Sequence, residues 1–125
     1  MKTEKELVID FAKTWNNLDI SFIQDILLND FHYSSQLVFK EIENKEDYLN
    51  YLEGKFKTIK KTNSKVIAEL GIYDGEHCLV LKQTIGKITQ EATFLIKTKG
   101  EKISRADICM IPSPKYVKRL GIIPK

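Results

Sequence analysis

The spacing of apolar residues changes near the middle of the chain, and that change constrains the fold more than any other feature. Up to about residue 61 the apolar positions recur every three or four residues, and from about residue 66 they alternate. The first spacing lines one face of a helix and the second one face of a strand. Helices followed by a run of strands define an α+β domain rather than an alternating α/β one.

In the first half, Thr3 and Glu6 have the spacing of a capping box, and Leu7, Val8, Phe11, Trp15 and Leu18 form one stripe. Asp19 is expected to cap a second, short helix over 20–28 that turns Phe22, Ile23, Ile26 and Leu27 inward. Phe31, Tyr33 and Ser35 alternate with His32 and Ser34 and predict a short strand. Asn44 and Asp47 then open a third helix to about residue 61, with Tyr48, Leu52, Phe56 and Ile59 on its apolar face. Lys55, Lys57, Lys60 and Lys61 lie near its C-terminal end, where positive side chains complement the helix dipole.

In the second half, strands are predicted over 66–73, 77–85, 92–97 and 103–111. Asp74-Gly75 marks a tight hairpin, because both residues accept the positive φ angles of a primed turn. The expected architecture is three N-terminal helices packed on a curved, mainly antiparallel sheet. Pro112 and Pro114 end the last strand, since proline removes a ladder donor. They separate a domain over 1–112 from a tail over 113–125 that docks on the domain or on a partner.

A chain of 125 residues suits one domain, and 42% hydrophobic with 30% charged residues excludes a disordered polymer. Twenty basic against 17 acidic side chains leave a net charge of +3, too mild to point to nucleic acid. The lysines over 55–65 lack an aromatic platform or binding motif and read as a solvated helix end. No export signal is visible, and no apolar run reaches the roughly 20 residues of a membrane helix. The expectation is a cytoplasmic protein with neither a nucleic-acid nor a membrane partner. Cys78 and Cys109 lack metal-ligand or CxxC spacing and read as buried thiols. No dinucleotide, P-loop or nucleophile-elbow motif is present, so no metal and no cofactor are expected.

Taken together, these residues resemble the nuclear transport factor 2-like superfamily. The resemblance rests on Phe11, Trp15 and Asn16 in the first helix, Asp19 opening the next segment, and Leu28-Asn29-Asp30 leading into the strand over 31–35. It continues through the third helix and the four strands to Pro112. It implies a cone-shaped, cystatin-like α+β barrel, a ligand pocket between the concave sheet face and the helices, and a homodimer through the sheet. Members include ketosteroid isomerase, polyketide cyclases, epoxide hydrolases, dehydratases and non-catalytic subunits, so the fold selects no activity. By the same resemblance, the isomerase's catalytic tyrosine would fall on Phe11 and its aspartate base on Ser35. Its neutral aspartic acid would fall within 92–97, which holds no carboxylate. Ketosteroid isomerisation is therefore not expected, and whether the chain is an enzyme stays open.

The resemblance turns Phe31, Tyr33 and Ser35 toward the pocket, with Tyr33 and Ser35 as its polar groups. Alternation turns Ile108 and Met110 inward as well, leaving Arg105, Asp107 and Cys109 on the opposite face. Phe11, Trp15 and Phe56 complete the candidate ligand-binding set from the helices. The expected function is binding of a small apolar molecule, with two alternatives. One is an acid–base enzyme that brings Glu69, His77 or Asp107 into the pocket; the other is an assembly module whose aromatic residues are plain core.

Overall fold

The computed structural model describes residues 2–123. The elements are helix α1 (Glu4–Asn17), strands β1 (Leu27–Ser35) and β2 (Lys40–Ile42), helix α2 (Lys45–Lys61), and strands β3 (Lys65–Tyr73), β4 (Glu76–Ile85), β5 (Ile88–Lys99), β6 (Lys102–Cys109) and β7 (Lys118–Ile122). They build one seven-stranded sheet in the order β2-β1-β6-β5-β4-β3-β7. Only β1 and β6 pair in parallel, with Tyr33 opposite Ala106 and Ser35 opposite Ile108. Register shifts interrupt the β1–β6, β5–β6 and β3–β7 ladders, and irregularities of this kind bend strands.

Both helices start as their sequences dictate. Thr3 and Glu6 form the reciprocal capping box, and the Asn44 side chain accepts the Asp47 backbone N–H at 2.8 Å. The second expected helix does not form. Asp19 does cap, accepting the Ser21 N–H, but the helix is one 3-10 turn, Ile20–Phe22. Leu27 already belongs to β1, opposite Ile103, whose N–H reaches the Ile26 carbonyl at 2.7 Å. The expected three-helix layer is therefore two α-helices, because pairing with a strand distant in sequence outcompetes a short helix.

The concave face holds the main core, in which Leu7, Val8, Phe11 and Trp15 of α1 meet Tyr48, Leu52 and Phe56 of α2. The outer face carries a second, smaller cluster of Cys78, Val80 and Val117. Residues 112–117 run over this face: the Thr93 hydroxyl donates to the Pro112 carbonyl at 2.7 Å, and Val117 packs where Gly71 has no side chain. The chain then pairs with β3 as β7. The last residues of the expected tail, 124 and 125, lie outside the described residues.

Cys78 and Cys109 are both free and buried. Burial, and after it the nearby Glu4 carboxylate, pushes the Cys78 thiol up to about 11, and burial raises Cys109 as well. At pH 8 a thiol of that pKa is only about 0.1% thiolate. Neither cysteine is expected to react with a disulfide reagent in the native protein, and both should react on unfolding. Stoichiometric labelling kinetics check this, and fast native labelling would contradict the outer-face packing.

Candidate functional site

The closed part of the cone is filled by aromatic rings. Phe94 stands edge-on to Phe11 at 5.2 Å and to Trp15 at 6.0 Å, and Tyr48 lies 4.8 Å from Phe31 and 4.9 Å from Tyr33. Edge-to-face and tilted arrangements at these separations are favourable beyond simple burial. Beside the ring cluster, at the open end of the cone, a groove of about 430 Å³ lies between the helices and β3–β6. Its apolar wall is made by Trp15, Leu37, Val66, Leu81, Ala92, Ile108, Met110 and Pro114. Lys55, Gln83, Gln90, Glu91 and Ser113 add polar groups.

Three sets of hydrogen bonds hold the elements around this wall. The Asn16 amide donates to the Ala68 carbonyl at 3.2 Å and accepts the Ala68 N–H at 2.7 Å, which locks α1 onto β3 and seats the adjacent Trp15. At the other end of α1, Glu4 meets the His77 ring at 2.6 Å and accepts its backbone N–H. Across the groove, the Gln36 side-chain oxygen accepts the N–H groups of Met110 and Ile111 at 2.8 and 3.2 Å. That contact ties the β1–β2 loop, and with it Leu37, to the end of β6.

Of the residues singled out from sequence, Trp15, Ile108 and Met110 lie in the groove wall. Met110 follows the last residue of β6 and is largely exposed, so it borders the opening instead of pointing into the cone. Phe11 and Tyr33 are sealed in the ring cluster. Phe56 packs edge-on against Trp15 at 5.2 Å and lines a separate surface hollow beside Leu18 and Ile20. Ser35 is buried, and its hydroxyl accepts the Leu37 N–H at 3.2 Å, a turn-stabilising role.

The polar residues proposed for acid–base work are engaged elsewhere. Asp107 accepts from Arg105 Nε at 2.9 Å and from the Ser34 hydroxyl, and Glu69 accepts from Arg119 at 3.0 Å. His77 is half-buried against Glu4 because α1 reaches over the end of β4. Burial, reinforced by the neighbouring Tyr51 hydroxyl, holds the Tyr33 phenol well above its ordinary range. Hydrogen bonds from Arg119 hold the Glu91 carboxyl below its ordinary range. The Trp15 indole N–H and the Tyr48 hydroxyl are buried without a partner among the described residues. No group of three potential metal ligands occurs among those residues.

Sequence reasoning missed Leu37, Lys55, Val66, Leu81, Gln83, Gln90, Glu91, Ala92, Ser113 and Pro114 as groove residues. They are spread over α2, β3, β4, β5 and two loops, so no single local pattern links them all. The one signal available was the alternation of β3 and β4, which turns Val66 and Leu81 inward with Ala68 and Leu79.

This arrangement is the nuclear transport factor 2-like fold, an α+β cone of the cystatin type. A nuclear transport factor 2-like protein of unknown function from Cytophaga hutchinsonii superposes with a TM-score of 0.66 at 20% identity, covering 93% of this chain and 96% of that one. An uncharacterized cystatin fold protein from Novosphingobium aromaticivorans gives 0.70 at 13% identity, over 87% and 99%. An LEH-like epoxide hydrolase of M. tuberculosis gives 0.61 at 14% identity, over 86% and 83%. No family model and no curated protein matches the chain. No described helix is long and apolar enough to cross a membrane.

Proposed function

We propose that the protein binds a small, largely apolar molecule carrying one acidic group, in the groove at the open end of the cone. The groove itself carries this reading: about 430 Å³ of mostly apolar wall with a few polar groups is a ligand-sized site. Glu91 is neutralised by Arg119, which contacts both its oxygens at 2.9 Å, so Lys55 is the charge left to meet a ligand. Trp15 lines the same wall, and its indole N–H is buried without a partner among the described residues.

Binding is better supported than acid–base catalysis. Glu91 stays a carboxylate at neutral pH and Tyr33 a neutral phenol, and neither histidine belongs to the groove wall. We also propose a homodimer through the sheet. Residues 112–117 cover the centre of the outer face, so a partner copy would meet the flank that carries Arg105 and Asp107.

Trp15 is the only tryptophan, which makes its fluorescence a local reporter. Titration with decanoate is expected to give a saturable change. Lys55→Met should weaken decanoate binding by about tenfold, the scale of one charge-assisted hydrogen bond, while leaving decanol unchanged. A fluorescence signal that never saturates with either probe would contradict the proposal.

A further inference from the structure

Three loops leave the sheet at the same end. Ser35 of β1 is level with Ile108 of β6, and residues 36–39 depart there. Thr93 of β5 is level with Cys109, so residues 110–111 leave beside it, and the β4–β5 hairpin turns at this end between Ile85 and Ile88. All three loops carry exposed apolar side chains: Leu37, Val38 and Phe39 in the first, Met110 and Ile111 in the second, and Ile85 and Ile88 in the third. Phe39 is 93% exposed and Ile111 82%. The opposite end of the same strands turns through Asp74-Gly75 and Gly100-Glu101, which are polar.

Phe39 has a φ of +51°, a left-handed conformation that glycine or asparagine adopts with less strain than a bulky residue. Local stability therefore does not account for a phenylalanine here with its ring in solvent. Cations surround these loops. Lys40 follows Phe39, Lys87 lies in the hairpin turn, and Lys115 follows Pro114 at the groove rim. Lys40 and Lys55 flank the Tyr51 ring at 5.2 and 5.9 Å. None of these four lysines forms an ion pair among the described residues, whereas the nearby Glu91 is held by Arg119.

We infer that this end of the cone docks on an anionic lipid surface, with Phe39 and Ile111 entering the acyl boundary and the lysines meeting headgroup phosphates. Separate protruding side chains suit a deformable bilayer, and unpaired lysines complement its negative potential. A second copy docked through the same end would instead bring like charges together. The expectation of no membrane partner rested on hydropathy runs, which detect spanning helices and not loop tips that a fold assembles. The inference stands on the loops and lysines and does not require the groove to be occupied.

Cosedimentation of the full chain with vesicles tests it. Binding is expected to vesicles of phosphatidylcholine mixed with phosphatidylglycerol, and not to phosphatidylcholine alone, at about 0.1 M salt. Phe39→Asn combined with Ile111→Asn should weaken that binding by about tenfold or more. The thermal midpoint and the decanoate response should be unchanged, since asparagine suits the backbone at position 39. Failure to bind the mixed vesicles, or equal binding by the double variant, would overturn the inference. So would light scattering that shows self-association through this end, abolished by the same variant, without vesicle binding. Loss of decanoate binding alone would overturn the groove reading and leave this one standing.

Discussion

Phe94→Ala is expected to destabilise the protein by about 3–5 kcal/mol. Phe94 is completely buried, and its ring stands edge-on to Phe11, Trp15 and Tyr33 at 5.2, 6.0 and 6.4 Å. Truncation removes the transfer energy of the ring and leaves a cavity whose walls come from α1 and from β1, and those walls collapse only partly. For a domain of this size the thermal midpoint should fall by roughly 15 °C. Thermal unfolding followed by circular dichroism measures it. A loss below about 1 kcal/mol would mean that the ring faces open space, and the cone would then be hollow at its centre.

Gly71→Ala should cost about 2–3 kcal/mol through a different mechanism. The backbone at Gly71 needs no special φ angle; the residue is glycine because another part of the chain passes close by. An added Cβ would lie 2.4 Å from Val117 Cγ1 and 3.1 Å from the Lys118 carbonyl. Val117 is β-branched and has little rotamer freedom, and the Lys118 backbone is held in the β3–β7 ladder. The clash is relieved only by lifting residues 117–118 off the sheet. Val117→Ala shortens the clashing side chain, so the double variant should be less destabilised than the two single losses added together, by about 1 kcal/mol or more. Lifting the segment also uncovers Cys78, which packs against Val117. Faster thiol labelling of Gly71→Ala therefore reads the same event independently, and additive losses with unchanged labelling would contradict the packing described.

These two sites show which parts of the fold were legible in the sequence. The helix carrying Phe11 and Trp15 was readable because its cap and stripe are local, and the β3–β4 hairpin because Asp74-Gly75 has few other uses. The missing second helix shows the limit. Phe22, Ile23, Ile26 and Leu27 fit a helical face over eight residues, but so short an apolar run also fits a turn followed by a strand. Ile103, far along the chain, decides between them by pairing with Leu27. Strand β7 was unreadable for a related reason. Lys118, Arg119, Leu120 and Gly121 do not alternate, and the strand exists because Gly71 leaves room for Val117.

The candidate site divides in the same way. The aromatic residues at helical spacing, Phe11 and Trp15, pack among the rings that fill the interior of the cone. Where a solid cone ends and a groove begins depends on ring packing between α1, α2 and β5, which no single segment records. Trp15 belongs to both regions: one part of it packs on Phe94 and Phe56, and it also lines the groove.

The most direct test of a ligand groove at the open end is NMR shift mapping of the full chain during titration with decanoate. The account predicts saturable shifts in the Trp15 indole N–H and in the backbone amides of Gln90, Ala92 and Ile108, with Phe11, Phe31 and Tyr48 little affected. Saturable shifts centred on those three interior residues would place the ligand inside the cone, and no saturable shifts at all would show that the groove holds no such ligand. Either result would contradict the account.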